Sequence, residues 1–160
     1  MKTIKTADLY DQYGNELQIV DPIFRSYGGK PAFAGRIVTV AVHEDNVLVK
    51  EELEKNGVGQ VLVVDGGGSL RSALVGGNVA KLAADSGWEG MIIYGCIRDA
   101  VEVAQLAVGV LALATCPVKP KKNGFGETGI AVRFGGVTFK PGAYAYADED
   151  GIAVAPERID

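Results

Sequence analysis

The sequence predicts a mixed α/β sandwich rather than a plain doubly wound sheet, on three observations. Apolar β-like runs alternate with helical stretches as far as residue 115. The last third changes to short β runs divided by Gly135-Gly136, Pro141-Gly142 and Asp150-Gly151. The glycines, 22 in all, sit in pairs and triplets at the ends of apolar runs instead of forming a linker. At 160 residues the chain reads as one domain, residues 1–160, long enough for a real core.

Thr6-Ala7-Asp8 offers caps for a first helix through Tyr13. In the run 34–42, after Pro31, Arg36 and Thr39 are the only polar side chains. That predicts a strand buried on both faces or at a tight interface. Asp45-Asn46 caps a helix through Lys55, with Val47, Leu48 and Leu53 as apolar positions and Gly57 as its stop. A strand at 61–64 ends at Asp65, and Gly66 to Gly68 follow as a tight turn. Gly76-Gly77 opens a helix over 78–86, and the next strand, 91–94, delivers Arg98 and Asp99 at its far end. Asp99 is read as the N-cap of a helix through Leu106, with a strand over 109–115 after it. The segment 117–126 (PVKPKKNGFG), basic and broken by two prolines, reads as a loose, solvated loop. Strands at 131–134, 137–139, 144–147 and 152–155 complete the meander, with Asp150-Gly151 as a tight turn.

The bulk numbers exclude several classes. A hydrophobic fraction of 48% with 22% charged is ordinary for a soluble globular protein. No apolar run reaches the roughly 18 residues that span a bilayer. Residues 1–14 carry no apolar leader core, which predicts a cytoplasmic protein without membrane partners. Cys96 and Cys116 lack metal-like spacing and read as reduced, buried small hydrophobes. The net charge of −4 argues against direct nucleic-acid binding. His43 is the single histidine, which removes His-rich zinc sites and a Ser-His-Asp machine.

The chemistry concentrates between residues 65 and 99. The D-G-G-G-S run at 65–69 fits neither a dinucleotide fingerprint nor a P-loop, so a turn is its reading. Gly76-Gly77-Asn78 opens a helix whose free N–H groups attract carboxylates and enolates; close packing of the helix start accounts for the same residues. In Arg98-Asp99, a guanidinium can grip a carboxylate while the adjacent acid holds a divalent metal. On the pair alone, a helix-start Asp beside a surface salt bridge is the plainer account. Together these elements predict a pocket for a small anionic ligand. Arg71, between the two glycine clusters, faces that pocket or another subunit.

Three long segments then carry a resemblance: VLVVDGGGSLRSALVGGN, GWEGMIIYGCIRD and RFGGVTFKPGAYAYADEDGI. They are similar to the RraA-like family, which is related to the class II 4-hydroxy-4-methyl-2-oxoglutarate aldolases. The resemblance covers nearly the whole chain. It implies an α/β/β/α sandwich in a single RraA-like domain, and a homotrimer with sites at subunit boundaries.

The aldolase branch carries a D-x20-R-D motif, whose Arg binds the pyruvyl group and whose second Asp ligates a divalent metal. Arg98 and Asp99 match the final pair, while the first Asp falls on Gly77, where this sequence departs. The resemblance therefore implies Arg98 and Asp99 as catalytic residues and Asp99 as ligand to Mg²⁺ or Mn²⁺. Gly76, Gly77, Asn78, Val79 and Arg98 are the implied substrate-binding positions, the amides of Asn78 and Val79 needing no particular side chain. The aldolases also use acids from a neighbouring subunit, for which Glu127 and Glu149 are candidates by composition.

Two functions follow from the resemblance. The first is a lyase that cleaves 4-hydroxy-4-methyl-2-oxoglutarate to two pyruvates and decarboxylates oxaloacetate through the same pyruvate enolate. The alternative is a non-catalytic inhibitor of RNase E that modulates RNA turnover. A relict scaffold that binds small dicarboxylates is a third reading. The retained Arg98-Asp99 pair favours the enzyme.

Overall fold

In the computed structural model, which describes residues 4–160, the expected alternation of helix and strand is present. Residues 1–3, part of the stretch read as lacking a leader, lie outside the described residues. The chain opens with α1 (Thr6–Tyr13) and two short strands, β1 (Gln18–Ile19) and β2 (Arg25–Ser26). It continues through β3 (Phe33–Ala41), α2 (Val47–Leu53), β4 (Gln60–Asp65), β5 (Ala73–Val75), α3 (Gly77–Asp85) and β6 (Gly90–Ile97). Next come α4 (Ala100–Val103), β7 (Gly109–Thr115) and β8 (Glu127–Thr128). The meander of β9 (Val132–Phe134), β10 (Val137–Phe139), β11 (Tyr144–Asp148) and β12 (Gly151–Ala155) follows.

Strands β3, β4, β6 and β7 run parallel, because each returns through a crossover long enough to reverse the chain. On the far side of β3 the sheet continues antiparallel through β11, β12 and β1. The full path is β1-β12-β11-β3-β4-β6-β7-β2, with β5 on β6, β8 on β3, and β9–β10 as a separate hairpin.

Period-two alternation explains the unbroken apolar runs. Leu62 and Val64 join Met91 and Ile93 under Val49, Leu53, Ala80, Ala83 and Val103 of the helices. Val61 and Val63 point to the opposite face, with Ile37 and Ile92, against Phe134, Phe139, Ala145 and Val154. Tyr146 and Ala153 turn outward from the meander and pack with Leu17 beneath Leu9 and Tyr13 of α1. Helix, sheet, sheet, helix is the α/β/β/α order.

Some local expectations change. The cap of α1 is tertiary: Lys5 contributes no side-chain bond, and Asp148 accepts from Thr6 N at 2.8 Å and Thr6 Oγ1 at 2.7 Å. Helix α2 ends at Leu53 and buries Val49 and Leu53, with Val47 and Leu48 only half-buried. Gly57 serves less as a stop than as clearance, since a Cβ there would collide with the Trp88 ring. Both cysteines are free and buried, as expected. Among the described residues, no helix is long and apolar enough to cross a membrane.

Candidate active site

The site grows from the carboxyl ends of β5 and β6, where helix starts and strand ends meet. After Val75 the chain turns at Gly76 into α3, while β6 runs alongside and Arg98 N donates to Val75 O at 2.9 Å. Gly76-Gly77 and Arg98-Asp99 are therefore neighbours.

Asp99 departs from its expected role. Its φ of 58° and ψ of 44° place a non-glycine residue in the left-handed region, a strained conformation that tertiary contacts must hold. Its side chain makes no cap on α4, which ends at Val103, well short of Leu106. The carboxylate instead accepts from Gly77 N at 2.8 Å, so Asp99 caps the neighbouring helix α3. Gly76 is required nearby, since a Cβ there would stand 2.9 Å from Asp99 Oδ2. The N–H groups of Asn78 and Val79 lie in the first turn, beyond reach of any acceptor within α3, and both residues line the cleft.

Glu102, which the sequence reading missed, is exposed and stands next to Gly77, just outside the residues that line the cleft. It stands three residues after Asp99 on the single turn of α4, and its carboxylate occupies the space that a side chain at 77 would fill. The bare Cα at Gly77 thus leaves the room that the Glu102 carboxylate of α4 occupies. No local signal marked it: Asp99 is left-handed and outside α4, so its spacing to Glu102 carries no helical-face relation.

Arg98 is half-buried and spends one long hydrogen bond, Nη1 to Pro117 O at 3.4 Å, on the protein. The rest of its five-donor fork is available to a ligand. The cleft beside it measures about 760 Å³. Asn46, Lys50, Glu51 and Glu54 of the α2 wall, the start of α3, Arg98, Asp99 and the Lys119 to Lys122 segment line it. The 117–126 segment is therefore not the loose loop expected: at Lys119, Pro120 and Lys122 it is a wall of the cleft.

Asp99, which accepts from Gly77 N, and Glu102, whose carboxylate lies against Gly77, are hard oxygen donors next to the same residue. Among the described residues no group of three or more His, Cys, Asp or Glu side chains gathers as a metal cage. Two carboxylates with water and substrate completing the shell is the donor set Mg²⁺ accepts, so these residues fit a divalent cation.

The remaining candidates lie elsewhere. Arg71 does not line the cleft; its Nε donates to Glu44 at 2.8 Å, beside Ser69 Oγ at 2.6 Å. The Ser69 hydroxyl first, then Arg71, hold the Glu44 carboxyl below its ordinary value. His43 is largely exposed next to Glu44. The glycine triplet is a turn, with Gly67 and Gly68 at positive φ and Asp65 Oδ1 accepting from Gly67 N at 2.9 Å. Glu127 and Glu149 are exposed and outside the cleft.

Comparison with known proteins agrees on the family and divides on the name. The family model described as RraA-like, Aldolase/RraA, matches residues 3–154. A Pseudomonas paraeruginosa protein provisionally named 4-hydroxy-4-methyl-2-oxoglutarate aldolase is 53% identical over 155 residues, covering 97% of this chain and 96% of that one. Among solved structures, an S-adenosylmethionine:2-dimethylmenaquinone methyltransferase from Geobacillus kaustophilus is 53% identical with TM-score 0.96, covering 98% of this chain and 97% of that one. The RNA-processing inhibitor RraA from Thermus thermophilis is 45% identical with TM-score 0.95, covering 100% and 96%. Three names on one fold leave function to be argued from the site.

Proposed function

The chain belongs to the RraA-like family, and from that premise we propose that it is a divalent-metal-dependent lyase. Its substrate is 4-hydroxy-4-methyl-2-oxoglutarate, cleaved to two pyruvates, with oxaloacetate decarboxylation as a side activity. The observation that carries this reading is the convergence of Arg98 and Asp99 in the cleft on the start of α3, with the Glu102 carboxylate against Gly77. A protein that only binds another protein has no need of two carboxylates and a guanidinium gathered around free helix amides.

Arg98 holds the substrate's C1 carboxylate through its planar fork. The amides of Asn78 and Val79 donate to the carboxylate and 2-oxo oxygens, where the helix dipole adds roughly 0.3–1 kcal/mol at exposed sites. Asp99 and Glu102 would hold the cation, with Mg²⁺ or Mn²⁺ as candidates, and the Gly77 amide fixes Asp99 in place. When bound, the cation supplies charge stabilisation at the oxygen that becomes an enolate as the bond breaks. The 4-hydroxyl gives up its proton, the C3–C4 bond breaks, one pyruvate leaves, and the enolate of the other is protonated at C3. Oxaloacetate reaches the same enolate by losing CO₂. Glu51 and Glu54 on the α2 wall are further carboxylates of this chain in the cleft.

The proposed working form is a homotrimer of single-domain chains, in which the exposed Leu70, Val118 and Phe125 are covered by a neighbour. Light scattering that returns a monomer would remove that part. The second reading, an inhibitor of RNase E, follows the name of the Thermus relative. Pyruvate release from both substrates, with Mg²⁺ or Mn²⁺ and with EDTA, separates the two. Turnover abolished by EDTA, Asp99→Ala and Glu102→Ala is expected. No turnover above the metal-only background overturns the lyase, and retention of RNase E on a column of the folded protein would then support the inhibitor.

A further inference from the structure

The segment after β7 carries more than a sequence with two prolines and three lysines suggests. Val118 O accepts from Ala73 N at 2.8 Å. Three residues on, Lys121 N donates to Glu44 O at 2.7 Å, and Lys121 O accepts from Asn46 N at 3.2 Å. Asp45, only 3% exposed, then takes Asn123 N at 2.7 Å and Gly124 N at 3.0 Å on a single carboxylate oxygen. Its other oxygen accepts from Val47 N at the start of α2. Pro117 and Pro120 stiffen the intervening backbone. A basic loop with free ends would stay in solvent, whereas this one is fastened at 118, 121 and 123–124.

The fastening has a consequence for charge. Lys119 and Lys122 flank the anchored Lys121, and both line the cleft opposite α2. Among the described residues, neither takes part in an ion pair, and neither does Lys50 on the facing wall. Lysines in a cleft, held by a rigid backbone and beyond ion-pair distance of the Glu51, Glu54 and Asp99 carboxylates that share it, are a site for an anionic group. Arg98 already serves one carboxylate. A cleft of about 760 Å³ is also far roomier than a three-carbon acid requires.

We infer that Lys119 and Lys122 form a second-carboxylate subsite, so that the cleft selects 2-oxo acids bearing another carboxylate at the far end of the chain. Asp45 is its positioning residue. The inference rests on the proposed lyase reading only for the placement of the 2-oxo acid end at Arg98.

Binding tests it without requiring turnover. Calorimetry on the full chain with Mg²⁺ compares pyruvate with 2-oxoglutarate, which has the second carboxylate but no 4-hydroxyl and cannot undergo the cleavage. The expected result is that 2-oxoglutarate binds more tightly than pyruvate. Lys119→Gln/Lys122→Gln weakens 2-oxoglutarate about tenfold and pyruvate less than about twofold, while Lys119→Arg/Lys122→Arg retains the preference. Asp45→Asn moves 2-oxoglutarate in the same direction without touching a ligand-contacting side chain. Unchanged 2-oxoglutarate affinity in the Gln variant overturns the subsite, as does equal loss of both ligands. Selective binding by a protein that releases no pyruvate keeps the subsite and removes the lyase; wild-type protein that binds neither ligand removes both.

Discussion

The parallel and antiparallel halves of this sheet both bury apolar runs, yet only the parallel half gathers the candidate site at its edge. In the parallel half, crossovers return every strand in the same direction, so strand ends and helix starts collect at one edge. Free helix amides, Arg98, Asp99 and Glu102 are the result. In the antiparallel half, tight turns use the polar groups internally: Asp148 holds Thr6 and accepts from Asp150 N. What remains there is a stack of rings, Tyr94 on Phe134 at 4.9 Å and Phe134 on Phe139 at 4.5 Å, that ties the hairpin to β6. Chain direction, more than composition, decided where reactivity could arise.

The largest effect should come from the half without chemistry. Phe139 is fully buried, and Phe139→Ala should cost about 3–5 kcal/mol in denaturant unfolding while leaving turnover per folded molecule unchanged. An equal fall in turnover would break the division between the halves. Asp99→Ala should do the reverse, lowering kcat by about 10²–10³-fold with only a small shift in melting temperature. Gly77→Ala should change stability by less than about 1 kcal/mol, because the added methyl meets only the mobile end of the exposed Glu102 side chain, which can swing aside. In a Glu102→Ala background the same substitution meets no carboxylate at all, and a double-mutant cycle without any coupling would show that Glu102 does not depend on the bare Cα at 77.

The smallest effects are in pH. Glu44, outside the cleft, has its carboxyl below the ordinary 4.5 because Ser69 and Arg71 bond its ionised form. Its contribution is present above the unfolded value and lost as pH falls through the lower folded one, so Arg71→Ala should flatten the acid limb of stability. Tyr146, in the antiparallel half, is pushed up to about 12, chiefly by burial. Its contribution is complete below the ordinary 10 and lost as pH rises toward about 12, so Tyr146→Phe should flatten the alkaline limb. Urea titrations across pH would show whether each limb belongs to its own half.

Much of the site was legible in one dimension. Gly76, Gly77, Arg98 and Asp99 stood out because a glycine-opened helix and a strand end have local signatures. Glu102 did not, because a helix drawn from 99 to 106 makes it one more surface acid. Only the left-handed turn at Asp99 and the bare Cα of Gly77 across the gap give it a role. The 117–126 segment failed the same way. Its prolines, lysines and glycines are those of a solvated loop, and the bonds that fasten it come from Asp45, Asn46, Ala73 and Arg98, far away in sequence.

By itself the sequence determined the longer parallel strands, the meander, most of the helices and the sandwich class, while the short strands β1, β2, β5 and β8 went unread. Period and capping are properties of neighbouring residues, and hydrophobic burial follows from them. Tertiary structure alone decided that Asp99 caps α3 instead of α4, that Glu102 stands where position 77 has no side chain, and that the basic segment lines the cleft. Each of these is a contact between residues brought together by chain crossing, and its energy depends on a distance that no local pattern encodes.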